Sequence, residues 1–202
     1  MVKVLNEQKH QTQRMCLLSH ARRLFAAQGV KETSMSQMAT ACKVTKATLY
    51  HYFRSKEEIL KEILANRSLE IQTMSRSNLP KNLEECFYQI GKGHLAHMEQ
   101  PENLELMKIL LSETMKNAEM KKYYMSFVAE TITRGAREIL APYLKGRKTE
   151  KELKLVFFQF MASLIHYNWN NKMVGNLSDL LGDDETFVRR LAKTYAGALL
   201  NS

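Results

Sequence analysis

Proline and glycine are scarce, with 3 and 8 among 202 residues, so few positions force a helix to end or admit a left-handed backbone. That excludes a collagen-like or low-complexity chain and leaves long helices with few interruptions. Cys16, Cys42 and Cys86 are odd in number, widely spaced and without a CxxC pair, which argues against a disulfide framework and against zinc. No apolar run approaches the roughly 18 residues of a membrane span. The opening residues, Lys3 and then Asn6, Glu7, Gln8 and Lys9, lack the apolar stretch of a signal peptide. A reducing cytoplasm, with no membrane partner, is the expected setting.

Catalytic signatures are missing too. There is no GxSxG, HExxH, Walker loop or dinucleotide fingerprint, and Gly91-Lys92-Gly93 falls within a helical window without the spacing of a phosphate cradle. His94 and His97 lie one turn apart, but no carboxylate or cysteine of matching spacing accompanies them, so they read as a solvated face. Neither an enzyme nor a bound metal or cofactor is expected.

What is present is charge, unevenly spread. The formal net charge is +9. Residues 1–67 hold 12 Lys/Arg against 5 Asp/Glu, and residues 68–202 hold 18 against 16. The basic excess is N-terminal, which suits either a solvated surface or a polyanionic partner.

Apolar spacing gives an all-α chain of about nine helices. Leu18, Ala21, Leu24 and Phe25 mark a first helix from Gln8 to Gln28, stopped by Gly29. Ser34 with Gln37 has capping-box spacing ahead of Met35, Met38, Ala39 and Cys42. A third helix starts at Thr45 and ends near Tyr52 or Phe53; a fourth opens at Ser55-Lys56-Glu57-Glu58 and runs towards Arg76. Further windows fall at about 81–98, 102–115, 117–140, 150–173 and 184–201, with Pro101, Pro142, Thr149 and Asp183 as punctuation. The stretch from Val174 to Asp183 reads as a loop. No window alternates with period two long enough for a strand.

Residues 35–54 have the make-up of a helix-turn-helix. Ala39 is a small residue for the helix contact, while Met38, Cys42, Val44, Leu49 and Tyr52 fall where a bihelical unit buries side chains. The second of these helices, Thr45 to Tyr52, then presents hydroxyls, a lysine, a tyrosine and an imidazole, all donors to phosphates or base edges.

The run from Thr33 to Leu60, above all Thr48-Leu49-Tyr50-His51-Tyr52-Phe53-Arg54-Ser55-Lys56-Glu57, closely resembles the tetracycline-repressor (TetR) family, as does Ala21 to Val30 before it. The resemblance covers about the first third and implies a DNA-binding domain over residues 1–54, with a helical regulatory and dimerisation domain over 55–202. It implies double-stranded DNA, a second copy of the chain and a small hydrophobic or aromatic effector as partners. Carried over by position, Lys46, Ala47 and Thr48 face base edges or adjacent phosphates, and Tyr50, His51 and Lys56 contact phosphates. Ser34 and Thr45 cap the second and third helices. His51 has a second reading as a solvated side chain, and Lys56 as a surface lysine. The family commonly has glycine in the turn and in the recognition helix, where this chain has Lys43 and Ala47. A side chain at positive φ costs on the order of 1 kcal/mol, so Lys43 implies either a different turn or a strained one.

In the remaining two thirds, the 150–173 window is apolar on more than one face and the last helix adds Phe187, Val188, Leu191 and Tyr195, a pattern suited to a two-fold four-helix interface. Candidate effector-lining residues are Phe87, Tyr88, Met107, Leu111, Met115, Phe127, Phe160, Tyr167 and Trp169, each also readable as ordinary core. The function expected is a repressor released from a palindromic operator by a mainly apolar ligand. The alternative is a protein-interaction factor of the same fold without an effector.

Overall fold

The computed structural model describes residues 2–71, 79–175 and 177–201, and these form helices with no strand among them. The elements are α1 (Val2–Gln28), α2 (Met35–Ala41), α3 (Lys46–Tyr52), α4 (Lys56–Ile71), α5 (Leu83–Glu99), α6 (Pro101–Lys116) and α7 (Ala118–Arg134). A π-helical stretch, Gly135–Leu140, continues α7 into α8 (Ala141–Leu144). Then come α9 (Glu150–Trp169), a second π stretch at Asn170–Val174, α10 (Ser178–Leu181) and α11 (Asp184–Leu200). The expected continuation of the fourth helix to Arg76 lies outside the described residues.

Local chemistry sets most boundaries. At α2, Gln37 N donates to Ser34 Oγ at 3.1 Å and Ser34 N donates to Gln37 Oε1 at 2.7 Å, a reciprocal capping box. Thr149 and Glu152 repeat that arrangement at α9, and Asp183 caps α11 through Thr186 N at 2.8 Å. Gly29, at φ 91°, closes α1 with its N–H on Phe25 O.

Three boundaries differ from the sequence reading. α1 begins at Val2, six residues before Gln8. The helix expected to stop at 140 runs on through Pro142 to Leu144, with Pro142 just after the π stretch, where the hydrogen-bond ladder changes register. The expected 174–183 loop contains the one-turn helix α10.

Packing divides the chain into two units, Met1–Ile71 with Pro101–Lys121, and Gln72–Gln100 with Lys122–Ser202. In the first, Leu17, Leu18, Ala21 and Phe25 of α1 are buried with Met38, Ala39, Leu49, Phe53, Ile59 and Leu60, and α6 packs on α1. In the second, α5, α9 and α11 surround Phe87, Phe160, Leu164, Val188 and Ala192. Here Gly91 has a structural reason: a Cβ would lie 2.7 Å from Val188 Cγ1, so glycine permits the close approach of α5 and α11.

The second unit also holds three groups whose neutral forms the fold favours. Burial is the leading cause in each case: it raises the Cys86 thiol and the Tyr143 hydroxyl, and it pushes Tyr167 up to about 12, helped by Asp184. These groups ionise more readily in the unfolded chain, so the stability they contribute is complete below the unfolded values of 9.0 for cysteine and 10.0 for tyrosine and is lost as pH rises above them. Denaturant midpoints are therefore expected to fall between about pH 8 and about pH 11. A midpoint that holds steady or climbs across that interval contradicts the assignment.

Candidate nucleic-acid interface

The α2–α3 pair is built by three local devices. The capping box starts α2. A left-handed turn ends it: Cys42 is the C-cap, Lys43 stands at φ 54°, Lys43 N donates to Thr40 O and Val44 N donates to Ala39 O, both at 3.0 Å. That is the paired 5→2 and 6→1 bonding of a Schellman turn, with lysine where glycine is least strained, at a cost of about 1 kcal/mol. Of the two alternatives the sequence leaves open, a different turn or a strained one, the backbone adopts the second. Thr45 then starts α3, its Oγ1 accepting from Thr48 N at 3.0 Å.

This geometry sorts the side chains of α3. Leu49 and the following Phe53 are 1% exposed, so they anchor the helix. Lys46, Ala47, Tyr50 and His51 are exposed and Thr48 is half-buried. Lys46 Nζ lies 6.0 Å from the centre of the Tyr50 ring, at the outer limit of a cation–π contact. From Thr33 to Lys56 the chain contains no Asp or Glu. The exposed face is a cationic, hydroxyl-bearing surface with no carboxylate of its own.

Ser34 and Thr45 are exposed and already used as caps. Lys56 is placed differently from the other candidates: its ammonium donates to Val30 O at 2.7 Å and to Lys31 O at 2.9 Å. It fastens the start of α4 to the turn after α1, with one donor left over.

Two residues that position this face are not apparent from sequence pattern. Arg14 on α1 forms a two-bond pair with Glu62 of α4, donates from its terminal nitrogen to Tyr52 O at 3.0 Å, and stacks over Phe53 at 4.5 Å. His10 stacks on Tyr52 with ring centres 4.5 Å apart, and Tyr52 meets His51 edge-on at 5.6 Å. Only the i, i+4 placement of His10 and Arg14 on one face of α1 hints at this.

Residues 17–63 match the family described as "Bacterial regulatory proteins, tetR family". The match to that family spans the helix-turn-helix segment and the start of α4. One relative is YerO of Bacillus subtilis (strain 168), an uncharacterized HTH-type transcriptional regulator: it is 26% identical over 181 residues, which cover 85% of this chain and 58% of YerO. The chain thus spans less than two thirds of that relative's length. Among solved structures, Salmonella enterica GusR superposes with a TM-score of 0.73 at 20% identity, covering 93% of this chain and 95% of its own. MexZ, described as a key repressor responsible for antibiotic resistance in Pseudomonas aeruginosa, gives 0.72 at 18%, covering 94% and 95%. These likenesses show a shared fold over nearly the whole chain, beyond residues 17–63.

The candidate effector residues are dispersed. Met107 and Leu111 are half-buried and Met115 is 82% exposed, all on α6 in the first unit. In the second unit, Phe87 and Phe160 are fully buried against each other, ring centres 4.7 Å apart, with Tyr195 against Phe160. Tyr88 donates to both Glu185 oxygens, and Tyr167 donates to Asp184 at 2.8 Å while stacking on Phe187 at 3.8 Å. Phe127 and Trp169 are half-buried. Four of the nine are therefore engaged core residues. His94 and His97 belong to no group of three or more His, Cys, Asp or Glu suited to a metal, among the described residues.

Proposed function

We propose that this chain is a cytoplasmic, sequence-specific DNA-binding regulator that acts as a two-fold dimer and represses transcription until a small, mainly apolar ligand releases it. The observation that carries the reading is the exposed, carboxylate-free face of α3, held by buried Leu49 and Phe53 and by two capped helix starts. Lys46 and Ala47 read base edges or neighbouring phosphates, Tyr50 and His51 bind phosphates, and the Ala47 methyl packs on a thymine methyl. The operator role is consistent with MexZ being described as a repressor.

Dimerisation is supported by α9, where Leu155, Phe158 and Ile165 are exposed although the opposite face fills the core. Spaced by three and seven residues, they form a single apolar stripe of the kind a self-complementary interface covers. Two recognition helices then meet half-sites about 34–36 Å apart, and an effector acts by favouring a different separation.

The test is selection of duplexes from a random pool by the wild-type protein, followed by binding measurements on the enriched sequence. A palindrome holding two chains is expected, with Lys46→Ala and Tyr50→Phe each weakening it by about tenfold or more and with steep salt dependence. Failure to enrich any sequence, or binding insensitive to salt, refutes the proposal.

A further inference from the structure

Lys43 presents a local contradiction. It is a charged, β-carbon-bearing residue in the left-handed region, φ 54°, at a turn that glycine would make without strain. Its backbone completes the turn, but its side chain is exposed, and its ammonium has no hydrogen-bond or ion-pair partner among the described residues. Nor can a chain neighbour supply one, since the stretch from Thr33 to Lys56 carries no carboxylate. Among the described residues the two turn hydrogen bonds offset the strain, and the side chain adds nothing to them. Strain of this kind persists where the surroundings impose it and is concentrated at functional positions.

Conformation alone does not assign a role, because Lys145, in the turn after α8, has φ 47° and is exposed as well. The two differ in their settings. Lys145 stands beside Arg147 and Lys148 in the turn before α9, so local basic charge does not separate the two, but it lies in the second unit. Lys43 stands two residues before Thr45, the cap of α3, and three before Lys46, so it extends the cationic edge of the exposed helix face. Together with Lys46, which itself lies 6.0 Å from the Tyr50 ring, that edge offers donors to a chain of phosphates and only repulsion to a cationic surface.

We infer that Lys43 is a DNA-phosphate contact, placed by the left-handed turn at the leading edge of the recognition helix. This rests on the DNA-binding reading above. A phosphate contact steers register on the duplex and carries no sequence information itself. It releases counterion, so each Lys43 engaged adds about 0.9 to the steepness with which affinity falls in salt, and roughly fivefold in affinity near physiological ionic strength.

The experiment uses the duplex enriched by the wild-type protein and compares Lys43→Gly, Lys43→Arg and Lys145→Gly. Both glycine variants relieve a left-handed side chain, so both are expected to melt roughly 2–4 °C higher. Only Lys43→Gly is expected to bind the duplex about fivefold more weakly per engaged chain, with a salt slope shallower by about 0.9, and Lys43→Arg should keep the wild-type slope. A Lys43→Gly protein with wild-type affinity and slope overturns the inference while leaving the DNA-binding proposal intact. Equal loss in Lys145→Gly overturns it as well, by tracing the effect to backbone freedom. If the wild-type protein enriches no duplex, the functional proposal itself has failed and this one falls with it.

Discussion

Gly135→Ala is expected to destabilise the second unit by about 3 kcal/mol, at the upper end for overpacking a filled core. Helix propensity argues the other way, since alanine exceeds glycine by roughly 1 kcal/mol within a helix. Packing wins because a β-carbon at Gly135 would fall on the ring of Phe157, meeting Cδ1, Cε1 and Cζ, and that ring is 4% exposed with nowhere to retreat. Gly93 is the control. It lies in α5 with nothing within 4 Å of an added β-carbon, so Gly93→Ala should gain up to about 1 kcal/mol. Trimming the obstacle in Gly135→Ala/Phe157→Leu should recover part of the loss. Urea unfolding of the four proteins decides it, and a Gly135→Ala midpoint at or above wild type would show that α9 can shift to make room.

The second large effect is expected at Arg14. Its guanidinium joins three elements of the first unit: Glu62 on α4, the last carbonyl of α3 at Tyr52, and the Phe53 ring. Both members of the ion pair are 24% exposed in their side chains, so solvent screens part of the attraction and the value of a fully buried pair does not apply. Losing the pair, the carbonyl bond and the ring contact together is expected to cost about 2–3 kcal/mol. In a double-mutant cycle, Arg14→Ala and Glu62→Ala should be clearly less than additive. Duplex affinity should fall in Arg14→Ala although Arg14 lies outside the expected contact set, because the end of α3 loses its tie to α1. Strict additivity, or a folded Arg14→Ala protein with full affinity, rules out this positioning role.

What could be read from sequence follows the range of the interactions concerned. The caps Ser34 with Gln37, Thr45, Thr149 with Glu152, and Asp183 act within three residues, and each appears in the structure where the spacing predicts. The exposure of Lys46, Ala47, Tyr50 and His51 around buried Leu49 follows from helical period alone. The π stretches were not legible, because an added residue in a turn leaves no signature in apolar spacing when both flanks remain helical. Nor was the partner of Arg14, which lies 48 residues away, or the destination of Lys56, 26 residues back. The candidate effector set failed to separate for a related reason. Bulky residues at helical spacing look alike whether they fill a core, as Phe87 and Phe160 do, or stand half-buried, as Phe127 and Trp169 do.

The return of α6 to α1 changes how the protein's electrostatic pull should be reckoned. Arg22 lies 3.8 Å from Glu102 of α6, and Lys61 pairs with Glu119 at the start of α7, so the first unit imports acids from later in the chain. Taken as a folded body, it carries 15 Lys/Arg and 10 Asp/Glu, an excess of five, where the first 67 residues alone carry an excess of seven. Its distant field on an approaching polyanion is accordingly milder than chain order suggests. On the proposed DNA-binding reading, capture then depends on the few ammonium groups that stay unneutralised beside α3, felt within one Debye length of about 8 Å in physiological salt.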